Sequence, residues 1–209
     1  SKLSMKPSGL PFEQAAAVPV SALTAQQGLI DVGRLQSGQQ VLITGASGGV
    51  GSAAVQLARR RGATVAAQAG ASKAQDLLAL GASRTVDRNA NLPKEIGTET
   101  IDVVIDIVGG PAWPQLLEVL KRGGRYVVSG AIAGPMVELD LRTLYLKDLT
   151  FLGCTAQHPD VFTNLVRYIE HGEIRPLVAK TYSLSDIIAA QTEFQLKKHV
   201  GKIVLVPPQ

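Results

Sequence analysis

The sequence predicts a doubly wound α/β fold: a six-stranded parallel sheet with helices on both faces and a short C-terminal appendage. Three observations carry this. Short, near-continuous apolar runs alternate with helical patterns, as strands buried on both faces require. A glycine-rich turn, "TGASGGVG" from Thr44 to Gly51, follows the first such run and opens a helix. Twenty-one glycines among 209 residues supply the tight turns of an open sheet.

Taken in order, "PFEQAAAVPVSALTAQQGLIDVGRL" reads as mostly helical after Pro11, with a break at Pro19. "GQQVLITG" is a buried strand. "GGVGSAAVQLARRRG" sets Val50, Ala54, Leu57 and Ala58 at helical spacing, with Gly62 as C-cap. "ATVAAQAG" is the second strand, and "SKAQDLLALGA" a short helix with Ser72 as its N-cap. "SRTVDR" and "IDVVIDIVGG" are strands three and four. "WPQLLEVLKRGG" is a helix stopped by its glycine pair, and "RYVVSGAIAG" is strand five. "LRTLYLKD" is helical, and "LTFLGCT" is the sixth strand. "HPDVFTNLVRYIEHGEI" is a long amphipathic helix. The tail then gives strand, helix and a last strand, Lys202–Val206. The organisation expected is a leading helical segment over 1–37, a dinucleotide-binding (Rossmann) domain over 38–176 and a tail over 177–209.

Composition narrows the function classes. With 45% hydrophobic and 18% charged residues the chain can bury a core. The formal charge of +4 is modest, and its densest run, Arg59-Arg60-Arg61, ends a helix, where cations complement the dipole. No aromatic residues interleave with it, so nucleic acid is not an expected partner. Cys154 is the only cysteine, so no internal disulfide forms, which fits a reducing cytoplasm. No signal peptide and no apolar run of membrane length are found, so no membrane is expected as a partner.

The glycine turn reads as Ala46-x-Gly48-x-x-Gly51. Ala46 makes the tight turn, and Gly48 lets a pyrophosphate approach the backbone. Gly51 permits close helix–strand packing. The N–H groups of Gly49, Val50 and Gly51 then face the phosphates, aided by the helix dipole. The same letters fit Thr44-Gly45-x-x-x-Gly49-x-Gly51, the turn of short-chain dehydrogenases. Those enzymes need a Tyr with a Lys four residues on. The residues four beyond Tyr126, Tyr145, Tyr168 and Tyr182 are Gly130, Leu149, Gly172 and Asp186, which excludes that family. No Lys-Ser/Thr pair follows the turn, which excludes a P-loop.

Several stretches in order carry a resemblance: "EQAAAVPVSALTAQQGL", "SGQQVLITGASGGVGSAAVQLAR", "DVVIDIVGG", "LKRGGRYVVSG", "DLTFLGCT" and "HVGKIVLVP". Across essentially its full length the chain resembles the medium-chain dehydrogenase/reductase superfamily, in its quinone-oxidoreductase-like and zinc-binding alcohol dehydrogenase branch. The resemblance implies a cofactor-binding half without its N-terminal catalytic domain, a chain that by itself is inactive. It implies a tail that packs on that domain, so that "KIVLV" is left without its partner strands. The intact enzyme would pass hydride from a nicotinamide to a quinone, an activated alkene or a carbonyl of a small-molecule substrate. Two alternatives stand beside it: an enoyl-reductase module excised from a polyketide synthase, and a non-catalytic nucleotide-binding fragment. A homodimer through the "LTFLG" edge strand, Leu149 to Gly153, is also implied, with a charge at Phe151 expected to break it.

The expected cofactor is NADPH. An NADH site usually carries an acid at the end of the second strand, where this chain has Gln68-Ala69-Gly70-Ala71. Ser72, Lys73 and Arg88 offer a hydroxyl, an ammonium and a guanidinium for a 2′-phosphate. The resemblance assigns the phosphate to Lys73, and adds Thr24, Val108, Ser129 and Gly130 as further cofactor contacts. No metal site is expected: Cys154, His158, His171 and His199 have no metal-like spacing. Asp102 and Asp106 alternate along a buried strand and read as structural. No catalytic residue is assigned; the cofactor would carry the reaction.

Overall fold

The computed structural model describes residues 5–155 and 159–208. Two short helices lead, α1 (Phe12–Ala16) and α2 (Pro19–Gln26), the second running on into a π-helical turn over Gln27–Val32. Pro19 occupies the first turn of α2, where its missing N–H costs nothing. There follow β1 (Gln40–Ile43), α3 (Gly49–Arg60), β2 (Thr64–Ala69), α4 (Ala74–Ala79), β3 (Arg84–Asp87), α5 (Leu92–Ile96) and β4 (Ile101–Asp106). Next come α6 (Trp113–Val119), β5 (Leu120–Val128), α7 (Leu141–Leu146), β6 (Thr150–Gly153) and α8 (Pro159–Glu170). The tail holds β7 (Val178–Ser183), α9 (Ile187–Leu196) and β8 (Lys202–Val206).

The six strands of the main sheet run parallel in the order β3-β2-β1-β4-β5-β6. Period-two alternation sends Val41, Ile43, Val103 and Ile105 into one core with Leu29, Leu57 and Leu165. Leu42 and Val104 point to the other core, with Leu92, Trp113, Leu116 and Leu120. Trp113, Tyr126 and Phe151 meet there edge to face, with centroids 5.6–5.9 Å apart. Strand order reverses between β1 and β4, and ligands of such sheets bind in the crevice at that switch.

Four local expectations change. The helix α6 stops at Val119, before the glycine pair, because Leu120 turns extended and is fully buried opposite Ile101. The register then jumps so that Arg125 pairs with Val103, and the extra residues bulge around Gly123 in a left-handed turn, φ 72°. Ser72 does not cap α4: it is exposed within a 3₁₀ turn over Ala71–Lys73, and Lys73 begins the helix without a side-chain cap. A further helix that the apolar pattern does not announce, α5, is capped by Asn91, whose side chain accepts the Lys94 N–H at 3.0 Å. Lastly, β8 is not without a partner. It pairs in parallel with β7, with α9 as the crossover, in a separate two-stranded sheet. No helix among the described residues is long and apolar enough to cross a membrane.

Candidate nucleotide site

The carboxyl ends of β1, β4 and β5 converge. Gly45, not Ala46, takes the left-handed conformation of the tight turn, with φ 58°. Ala46 is fully buried and lies under Gly51 instead. A Cβ on Gly51 would come within 2.3 Å of the Gly45 carbonyl oxygen and 2.5 Å of Ala46 Cα, so helix and turn touch backbone to backbone. Gly48 is exposed and extended at the N-cap, leaving the surface in front of the turn clear. The first N–H groups of α3, including those of Val50 and Gly51, have no partner within the helix and sit at its positive end.

Asp106 ties the strand ends together. It is fully buried and, among the described residues, no cation pairs with it. One carboxylate oxygen accepts from Thr44 Oγ1 at 2.6 Å and from the N–H groups of Val108 and Gly109 at 2.9 and 3.1 Å. The other accepts from the Tyr126 hydroxyl at 2.6 Å. Burial first, and then the hydrogen bond to this carboxylate, hold the Tyr126 phenol well above its ordinary range, so it stays a donor. Thr44 Oγ1 also accepts the Ile107 N–H, and the Ser129 N–H donates to the Asp106 carbonyl. Gly130 lies so close to Ile107 that a Cβ would meet its carbonyl oxygen at 2.6 Å. Val108 thus lies against Gly45 of the glycine turn, and Ser129 and Gly130 lie against Asp106 and Ile107. Asp102, at the other end of the strand, accepts from the Gln40 N–H and from Lys121 Nζ at 2.9 Å.

At the end of β2, Lys73 is buried, with 6% of its surface exposed. Its Nζ donates to the carbonyls of Lys197 and His199 at 2.6 and 2.7 Å, and weakly to Ser47 Oγ at 3.4 Å. Burial pushes its pKa below the usual lysine range, and the charge of Arg88 adds to this. Arg88 is exposed and lays its guanidinium over Gly70. One carboxylate does reach this region, from β3: Asp87 accepts the N–H groups of Ala71 and Asn89.

Two residues beyond the sequence reading join the site. The stem of Lys202 crosses Gly49, where a Cβ would meet its Cε at 2.3 Å. This places a flexible cation at the mouth of α3, and the "GK" before the last strand was its only signal. Ser21 is 2% exposed, and its Oγ lies beside Gly49 with no hydrogen-bond partner among the described residues. Thr24 is half-buried one turn later on α2, which packs along α3.

The metal candidates stay apart. His171 follows α8 and lies 3.6 Å from Glu173. His199 stacks near Phe194 at 5.5 Å, its pKa lowered first by burial and then by Lys73. Cys154 is buried against Gln27, and burial raises its thiol pKa. His158 lies outside the described residues. Among the described residues no three of His, Cys, Asp or Glu come together.

Known proteins share this arrangement. Residues 49–171 match the zinc-binding dehydrogenase family model. A crystal structure of a provisionally assigned alcohol dehydrogenase from Sinorhizobium meliloti 1021 superposes with a TM-score of 0.92 at 45% identity, covering 98% of this chain and 58% of that one. The spectinabilin polyketide synthase system protein NorB of Streptomyces orinoci is 35% identical over 94% of this chain, which spans 9% of its length. The acryloyl-coenzyme A reductase of Sulfurisphaera tokodaii is 31% identical over 96% of this chain and 60% of its own. With the strand order, the glycine turn and these matches in agreement, the chain belongs to the zinc-binding dehydrogenase family, as the cofactor-binding domain of a medium-chain dehydrogenase/reductase.

Proposed function

We propose that this domain binds NADPH in preference to NADH and presents its nicotinamide for hydride transfer to an activated alkene. The observation that carries the cofactor choice is that Lys73 and Arg88 flank Gly70 just after β2: the Lys73 N–H donates to the Gly70 carbonyl, and the Arg88 guanidinium lies over Gly70. Two cations that disfavour each other there are matched by a 2′-phosphate. The pyrophosphate would lie against the first turn of α3, with Lys202 as counter-charge. The nicotinamide would reach the loops after β4 and β5. Bound NADPH supplies the hydride; the chain holds and orients it.

The activated alkene is supported by the similarity to an acryloyl-coenzyme A reductase and to a polyketide synthase protein. The synthase similarity also favours a second reading, an enoyl-reductase region of such a synthase. Quinone and carbonyl acceptors share the hydride chemistry, and this chain spans 58% and 60% of the alcohol dehydrogenase and the acryloyl-coenzyme A reductase named above.

Calorimetry with NADPH and NADH tests the cofactor reading. NADPH is expected to bind about tenfold or more tighter, with the preference lost in Lys73→Ala. Equal affinities would refute it, and binding of neither would show that the glycine turn does not suffice to hold a nucleotide in this chain. A homodimer through the open edge of β6 is also proposed. Phe151 is the wrong probe for it, because its ring packs on Trp113 and Tyr126. Thr150 is exposed, so Thr150→Lys is expected to halve the mass seen by light scattering, and an unchanged mass excludes this interface.

A further inference from the structure

The tail does more than border the site. Lys73 has three donors, and the loop between α9 and β8 takes the two short bonds, through the carbonyls of Lys197 and His199. The third, to Ser47 Oγ, is the long one at 3.4 Å. The loop is itself fixed to the glycine turn, since the Gly201 N–H donates to the Ser47 carbonyl at 3.0 Å. It is also anchored to β7's approach by the bond from the Lys202 N–H to the Leu177 carbonyl. The conformation is tightly specified. Lys197 is left-handed at φ 54° and Gly201 at φ 89°, and a Cβ on Gly201 would meet Leu177 Cβ and O at 2.6 and 2.7 Å.

We propose that the 197–201 loop is a specificity element of the nucleotide site, its two carbonyls holding the Lys73 ammonium in place for a 2′-phosphate. This rests on the NADPH reading above. The phosphate takes the weakly used donor and displaces only Ser47 Oγ, while both carbonyls stay bound. Lys73 then serves loop and phosphate together, and Arg88 closes the phosphate from the exposed side. Coupling of this kind is reciprocal: a loop that helps to bind the 2′-phosphate is itself held more firmly once the phosphate is there. The tail of the chain, and not the helix carrying Lys73 alone, sets the preference between the two nucleotides.

The test uses the whole chain and two readouts. In Gly201→Ala the loop must shift, by both the Leu177 contact and the backbone strain. NADPH affinity is expected to fall about tenfold while NADH affinity changes less than about twofold, so unchanged NADH binding also reports an intact fold. In the unmodified chain, amide exchange at Gly201 is expected to slow several-fold with 2′,5′-ADP and to stay unchanged with 5′-ADP. Unaltered or faster exchange with 2′,5′-ADP overturns the proposal, whatever becomes of the variant. If the wild type prefers NADPH, Lys73→Ala loses the preference and Gly201→Ala keeps it, the loop proposal fails alone. Equal wild-type affinities would overturn the cofactor reading and this one with it.

Discussion

Asp106→Ala is expected to destabilise the domain by about 3 kcal/mol or more, a large share of the stability of a single domain. The carboxylate is fully buried and is the acceptor for four donors: Thr44 Oγ1, Tyr126 OH and the N–H groups of Val108 and Gly109. Alanine removes the acceptor of all four, and a buried donor without a partner costs about 1–3 kcal/mol. Graded substitutions separate the polar loss from the loss of volume. Asp106→Asn keeps one acceptor oxygen, and the Tyr126 hydroxyl can turn to accept from the new amide, so about 1–2 kcal/mol is expected. Tyr126→Phe removes a single bond, for about 1 kcal/mol. Urea midpoints of the three variants measure this order. A cost for Asp106→Ala no greater than for Tyr126→Phe would show that the carboxylate does not organise these strand ends. Because three of the donors, Thr44, Val108 and Gly109, lie just after β1 and β4, nucleotide affinity should fall in step with stability across the series.

Gly51→Ala is the second large effect. Its Cβ would meet only backbone: the Gly45 carbonyl at 2.3 Å, Ala46 Cα at 2.5 Å and Ala46 C at 2.8 Å. No side chain can rotate away, so α3 must lift from the turn. Overpacking of this kind costs about 3 kcal/mol, roughly a 6–12 °C lower melting temperature for a chain of this size. The lift also spoils the aim of the first N–H groups of α3, and binding of either nucleotide should be lost together with stability. Gly48→Ala is the contrast. Its Cβ would sit 3.5 Å from the Gly45 carbonyl, an ordinary contact, and its φ of −75° suits any residue. Stability should hold while nucleotide affinity falls, because the methyl group stands where the pyrophosphate approaches. Thermal melts and calorimetry on the pair check both halves. An unchanged melting temperature for Gly51→Ala would refute the close packing.

How much of this was legible beforehand varies by residue. Gly51 and the order of the first six strands could be read directly, because strand, turn and helix follow one another without a break and the apolar pattern is local. The tight turn was placed one residue late, at Ala46. Two overlapping glycine motifs share the same letters, and only the backbone shows that Gly45 is the left-handed one. The start of β5 was missed for a different reason: Leu120 continues a helical pattern in sequence, but its burial against Ile101 and pairing with β4 pull it into the sheet. Asp106 reads as structural from strand burial, yet its four donors lie on or just after three separate strands and no spacing announces them.

The sequence by itself determined the fold class, the family and the position of the glycine turn, since each depends on short-range pattern: alternation, apolar runs and glycines at fixed offsets. The tertiary structure alone decided what surrounds that turn. It brought Lys202 over Gly49, set Ser21 beside the mouth of α3, and closed the carbonyls of Lys197 and His199 onto Lys73, more than a hundred residues away in the chain. Such contacts depend on where the tail folds back, which is fixed by the packing and hydrogen bonding of distant segments and leaves no periodic trace in the residues themselves.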